Sequence, residues 1–149
     1  MADILIIVGT ESGNSQMVAD LLEEELPALG HTVEVFNNGE ASDAKLDDRD
    51  VVLVCCSTHG DGELPDNIIP FAESLEKAAP DLGHIRYGVI ALGDQTYHDT
   101  FCGGGKTMDA LLARLGATRI GDRLEIDACV QPLPDEDALE WAKEWVALL

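Results

Sequence analysis

Two segments of this chain, Ile4–Val8 and Val51–Cys56, are apolar at every position and rich in β-branched residues. A strand of that kind offers no face to water, so it must lie inside a sheet covered on both sides. Two further β-type runs, Val33–Phe36 and Tyr87–Leu92, and a weaker fifth around Arg119–Ile126, are separated from them by helical patterns. Val18, Leu21, Leu22, Leu26 and Leu29 fall on one helical face, with Asp20, Glu23 and Glu24 turned away. Pro27 ends or bends that helix and Gly30 closes it. Phe71, Ala72, Leu75 and Ala79 make a second stripe. Met108, Leu111, Leu112 and Leu115 make a third, ended by Gly116. A last helix starts at Asp135 or Glu136 and carries Leu139, Ala142, Val146 and Leu149 on its apolar side. Asn37–Asp50 is compatible with one short helix or with a loop alone. Strand–helix alternation predicts a parallel sheet with helices on both faces. Right-handed crossovers make it a three-layer α/β sandwich, and for five strands the order is 2-1-3-4-5. The 149 residues suit one domain, spanning 1–149.

In such a sheet the chemistry belongs to the loops at the carboxyl ends of the strands. The loop after the first strand, Gly9-Thr10-Glu11-Ser12-Gly13-Asn14-Ser15, has three hydroxyls, an amide and a glycine, and it opens a helix. A helix N-terminus presents unpaired N–H groups and partial positive charge, which suits a phosphate; the same residues also serve as ordinary helix caps. The loop after the third strand, Ser57-Thr58-His59-Gly60-Asp61-Gly62-Glu63-Leu64-Pro65-Asp66-Asn67, has two glycines around an aspartate, and Asp66 or Asn67 can cap the next helix. An ordinary turn would use the same residues. The loop after the fourth strand, Gly93-Asp94-Gln95-Thr96-Tyr97-His98-Asp99-Thr100-Phe101-Cys102-Gly103-Gly104-Gly105, offers Tyr97 as a stacking plate, whereas Phe101 suits a core anchor. Phosphate donors, a pliable backbone and an aromatic plate at one sheet edge fit a flat ring with a phosphate tail.

Several chemistries are excluded or disfavoured. Acidic residues outnumber basic ones 29 to 9, a net charge of −20 that opposes nucleic-acid binding. The charge serves either a docking face for a basic partner or a solubilising surface. Cys55, Cys56, Cys102 and Cys129 contain no CxxC pair, so neither zinc nor a redox dithiol is indicated, and Cys55 and Cys56 are expected as free core thiols. GxxxxGK[ST] and GxGxxG are absent, which disfavours a nucleotide triphosphatase and a dinucleotide site. GxSxG is absent, so no nucleophile elbow exists. A phosphoacceptor receiver domain would need an aspartate where Ser57-Thr58 stands. Met1-Ala2-Asp3 leads into the first strand without a basic leader, and no apolar run has membrane-spanning length, so the cytoplasm is the expected compartment.

Thr10-Glu11-Ser12-Gly13-Asn14-Ser15 resembles the phosphate loop of flavodoxins. Ser57–Asn67 is similar to the second flavin loop of the FMN domains of diflavin reductases, and Leu92-Gly93-Asp94-Gln95-Thr96-Tyr97 with Phe101-Cys102 to their third. The resemblance runs end to end and is strongest to short-chain flavodoxins of the MioC type, then to the FMN domain of sulfite reductase flavoproteins. It implies the flavodoxin-like fold and FMN as cofactor. Thr10, Glu11, Ser12, Gly13, Asn14 and Ser15 would form the phosphate loop. Ser57, Thr58, His59, Gly60 and Gly62 would cover one side of the ring. Leu92, Gly93, Asp94, Tyr97, Phe101 and Cys102 would form the third contact, with Tyr97 stacking. Asp127 would reach the ribityl chain or ring edge. Relatives often carry Tyr or Trp where His59 stands; histidine is a smaller plate that can be charged near neutral pH, which implies weaker FMN binding.

The resemblance further implies a monomeric carrier of single electrons, with no catalytic residue and no metal. It would work between a separate NADPH-dependent flavoprotein reductase of the ferredoxin–NADP reductase type and an acceptor redox enzyme. Acids near the ring (Asp61, Glu63, Asp94, Asp99) would penalise negative charge on the reduced flavin and lower its potential. A docking role for the acidity implies electron transfer that slows with salt. The alternative is a flavodoxin-like interaction module that has lost its cofactor.

Overall fold

The computed structural model describes residues 3–10, 14–58, 64–93, 102–127 and 134–149. Strands β1 (Asp3–Gly9), β2 (Thr32–Phe36), β3 (Val51–Cys56) and β4 (Arg86–Gly93) run parallel in the order β2-β1-β3-β4. The lane beyond β4 is shared by two short strands. β5 (Thr118–Arg119) pairs with Arg86 and Tyr87, and β6 (Leu124–Asp127) pairs with Ile90–Gly93. The order 2-1-3-4-5 is therefore present, with the fifth position carried by two pieces in place of one continuous strand. Gly121 lies between them at φ +73°, in the left-handed region, and takes the chain out of extended geometry before it re-enters at Leu124.

Among the described residues, five α-helices cover the sheet: α1 (Asn14–Glu25), the short α2 (Ala41–Ala44), α3 (Ile69–Ala78), α4 (Gly103–Arg114) and α5 (Pro134–Val146). The two-residue period of the strands divides the core into halves. Ile4, Ile6, Val8, Val51, Leu53 and Cys55 pack against Val18, Ala19 and Leu22 of α1 and Ala138, Ala142 and Trp145 of α5. Leu5, Ile7, Val52, Val54 and Cys56 face the other way, against Phe71 and Leu75 of α3 and Met108, Leu111 and Leu112 of α4. Adjacent Cys55 and Cys56 thus enter opposite core layers, each as a buried free thiol. Among the described residues, no helix is long and apolar enough to cross a membrane.

Local departures from the expected stripes have local causes. Pro27 turns the end of the first helical pattern into a 3-10 segment, Leu26–Leu29, closed by Gly30 at φ +91°. The tighter winding carries Leu29 off the apolar face, and it is 48% exposed. Ala79 is exposed as well: α3 stops at Ala78, and Ala79, followed by Pro80, takes the left-handed cap at φ +45°. The open segment Asn37–Asp50 holds α2, with a reciprocal capping box between Glu40 and Asp43, and a 3-10 turn at Leu46–Asp48. The last helix begins at Pro134, slightly earlier than expected.

Candidate functional site at the carboxyl edge of the sheet

β1, β3 and β4 finish at a common edge, with Gly9 in register with Cys56 and Cys56 with Ala91. From that edge β1 leads to α1 on one face and β3 leads to α3 on the other. Chains diverging from adjacent parallel strands open a crevice between them, the usual ligand position of a doubly wound sheet.

At the exit of β1, the Thr10 N–H donates to Asn67 Oδ1 at 2.8 Å. Asn67 Nδ2 donates to the Val8 and Asn37 carbonyls, each at 2.9 Å. α1 then starts at Asn14 and, like α3 and α4, has no acidic residue in its first turn. Its N-terminal dipole is therefore not neutralised from within that turn, as an anion site requires. Ser15 is fully buried; its hydroxyl pairs with that of Ser57 at 2.6 Å, and the Ser57 N–H donates to Gly9 O at 2.8 Å.

The ends of β3 and β4 are joined by Thr58. Its hydroxyl donates to Leu92 O at 2.9 Å and accepts the Gly104 N–H at 3.2 Å. Gly103-Gly104-Gly105, read from sequence as the tail of the third loop, is the first turn of α4. The glycines let this turn press on the strands: a Cβ at Gly104 would lie 2.2 Å from Ser57 O, and one at Gly105 would lie 2.3 Å from Ala91 Cβ. Leu92 and Cys102 are buried, and the Leu92 carbonyl accepts the Thr58 hydroxyl. The Cys102 thiol donates to Ala91 O at 3.4 Å; burial, and secondarily Glu125, pushes it up to about 12. Burial likewise pushes Cys56 up to about 12, and raises Cys55 further. At pH 8 the native protein should therefore expose at most one thiol per chain to an aromatic disulfide reagent, with Cys55, Cys56 and Cys102 reacting only after unfolding. Fast labelling of two or more thiols in the native state would contradict that burial.

Thr10, Ser15, Ser57, Thr58, Leu92 and Cys102 are thus gathered at one edge, together with the backbone of Asn14 and Gly93. Glu11, Ser12, Gly13, His59, Gly60, Gly62, Asp94, Tyr97 and Phe101 lie outside the described residues, as do Asp61, Glu63 and Asp99. Asn67 is the residue that sequence reasoning misplaced. It does not cap α3, whose cap position is Ile68 with Pro70 in the first turn and no side-chain cap bond. Pro70 was the available signal: a helix that starts on proline has less need of an Asn cap.

A second unread cluster braces α4 against the outer lane. Asp109 is 5% exposed; Tyr87 and Arg123 donate to its carboxylate, and Arg119 joins them at 2.7 Å. Arg123 also pairs with Glu125 at 2.8 Å. Burial opposes charge on Asp109, but the hydrogen bonds from Tyr87, Arg119 and Arg123 outweigh it and hold the carboxyl below its ordinary value.

This fold has close counterparts. A profile described as flavodoxin matches residues 6–141. The chain belongs to the flavodoxin family. It is 44% identical to flavodoxin YqcA of Escherichia coli strain K12 and 40% identical to protein MioC of the same strain, in both cases over 100% of this chain and 99% of the relative. It is 40% identical to part of the sulfite reductase [NADPH] flavoprotein alpha-component of Vibrio parahaemolyticus, over 89% of this chain and 21% of that one. A cysteine variant of flavodoxin from Pseudomonas aeruginosa superposes with a TM-score of 0.89 at 33% identity, covering 98% of each chain. As a flavodoxin, the protein has FMN as its cofactor and electron transport as its class of function.

Proposed function

We propose that this flavodoxin is a low-potential carrier of single electrons, monomeric and cytoplasmic. It would take electrons from a separate NADPH-dependent reductase of the ferredoxin–NADP reductase type and pass them to an acceptor redox enzyme. The observation that carries the reading is the joining of the β1, β3 and β4 loop origins at one edge, beside an α1 N-terminus whose first turn holds no acid. FMN supplies the one-electron chemistry when bound. The chain's own part is to bind and orient. Thr10, Glu11, Ser12, Gly13, Asn14 and Ser15 would hold the phosphate. Ser57, Thr58, His59, Gly60 and Gly62 would flank one side of the ring. Leu92, Gly93, Asp94, Tyr97, Phe101 and Cys102 would supply the remaining contacts. The ties Ser15–Ser57 and Thr58–Leu92 join the three loop origins, so that the site is held before the cofactor arrives. The match to a segment of a sulfite reductase flavoprotein component supports reductase-linked transfer. The net charge of −20 supports docking through basic partner surfaces.

Visible spectroscopy with added FMN, followed by stepwise reduction, tests the reading. The expected result is a perturbed flavin band, quenched flavin fluorescence and two resolved one-electron potentials, the second shifted below that of free FMN. Unperturbed FMN at generous excess would overturn it and leave the cofactor-free interaction module. Two coincident steps would overturn the one-electron role alone.

A further inference from the structure

The Asn67 amide spends both of its donors and its oxygen on three backbone groups from two other segments. Oδ1 accepts from Thr10 N–H, while the two Nδ2 hydrogens go to the Val8 and Asn37 carbonyls. An amide has two donors and an acceptor in a fixed plane, so these three bonds also fix the relative positions of the groups they join. Val8 and Thr10 flank Gly9, the last residue of β1, and Asn37 directly follows β2. Asn67 itself lies just before α3, on the connection from β3. One side chain therefore ties the exit of β1 to the residue that follows β2. It does so from the β3–α3 connection.

We propose that Asn67 is a positioning residue for phosphate recognition: it holds the β1 exit so that the α1 N-terminus meets the phosphate of FMN. The inference rests on the FMN reading above. Asn67 needs no contact with the ligand. Its effect falls on the phosphate end, because the groups it fixes precede α1, whereas the ties at Thr58, Leu92 and Gly104 stand at the ends of β3 and β4. Asn67→Ala leaves the Thr10 N–H and two carbonyls without this partner and frees the exit angle. Asn67→Asp keeps the shape and the acceptor for Thr10, but turns an oxygen toward two carbonyls and adds negative charge near the phosphate position.

The test compares FMN with riboflavin, which has the ring and lacks the phosphate, in fluorescence-quenching titrations of wild type, Asn67→Ala and Asn67→Asp. Asn67→Ala should weaken FMN by about tenfold or more, the scale of one lost polar tie, and leave riboflavin nearly unchanged; Asn67→Asp should weaken FMN further. Amide hydrogen exchange of the flavin-free protein should show faster exchange at Thr10 in Asn67→Ala, with Leu53 in β3 unaffected. Equal losses for both flavins would make Asn67 a general structural tie and overturn the proposal, as would unchanged FMN affinity. Should Asn67→Ala fail to fold, the FMN-to-riboflavin ratio of Asn67→Ser, which removes the amide without adding charge, decides. A wild-type protein that binds neither flavin would overturn the FMN reading itself, an outcome distinct from a selective or unselective change between variants.

Discussion

Asp109→Ala is expected to lower stability by about 3 kcal/mol, the lower end for breaking a buried ion pair. The lower end applies because the side chains of Arg119 and Arg123 are 38% and 23% exposed, so water partly compensates them, whereas that of Asp109 is only 7% exposed. Tyr87 also keeps the Asp109 backbone carbonyl as an acceptor at 3.2 Å. For a chain of this length the loss corresponds to a fall in melting temperature of about 6–12 °C. Asp109→Asn retains shape and an acceptor for Tyr87 and should lose less. Thermal and urea denaturation of both variants check the order; a shift below about 1 °C for Asp109→Ala would mean that the cluster adds nothing net.

The same group has a signed pH dependence. Its folded carboxyl lies below the ordinary value, while in the unfolded chain it titrates near about 4. Its contribution is therefore complete above about pH 4 and disappears as pH falls through the lower folded value. The stability gap between wild type and Asp109→Asn should be constant from pH 7 to pH 5 and close under stronger acid. A gap that widened on acidification would show that the carboxyl is not held in its charged form.

The central strands were legible because burial on both faces leaves only apolar positions, a pattern that needs no knowledge of partners. Ile4–Val8 and Val51–Cys56 carry that pattern, and the structure buries every residue in both. The outer lane was less legible: Arg119–Ile126 has strand character overall, yet the chain breaks between Arg119 and Leu124, with Gly121 in the left-handed region. The Gly103-Gly104-Gly105 run stands in the sequence as the tail of the third loop, and glycine is a poor helix former. What overrides propensity there is contact with Ser57 and Ala91, residues 47 and 14 positions earlier for the pairs Gly104–Ser57 and Gly105–Ala91. Asp109 and Asn67 escaped for the same reason. Each is a lone polar residue whose partners lie far off in sequence, and local spacing carries no trace of them. The loops of the site were legible as a set of residue types at a common edge. Which hydroxyls would be engaged internally was not, because the Ser15–Ser57 pair spans 42 positions.

Gly104→Ala should damage stability and flavin binding together. In an unconstrained helix this change would be stabilising by about 1 kcal/mol. Here the new Cβ would stand 2.2 Å from Ser57 O, 3.2 Å from Ser57 C and 3.3 Å from Thr58 Cα. All three are backbone atoms at the end of β3, and Ser57 is held further by its N–H bond to Gly9 O. No side chain can swing away, so α4 must retreat. Its retreat lengthens the Gly104 N–H bond to Thr58 and disturbs the Thr58 bond to Leu92, which together join the ends of β3 and β4. Overpacking of this kind costs about 1–3 kcal/mol, more than the helix preference returns. The displaced atoms belong to the loop origins assigned to the ring, so FMN and riboflavin should weaken in parallel, by about tenfold for each 1.4 kcal/mol lost. That parallel loss is the opposite of the phosphate-selective loss expected at Asn67, and the two titrations in one buffer separate a ring-side defect from a phosphate-side one. Wild-type melting temperature and flavin affinity in Gly104→Ala would show that α4 can shift without moving the edge.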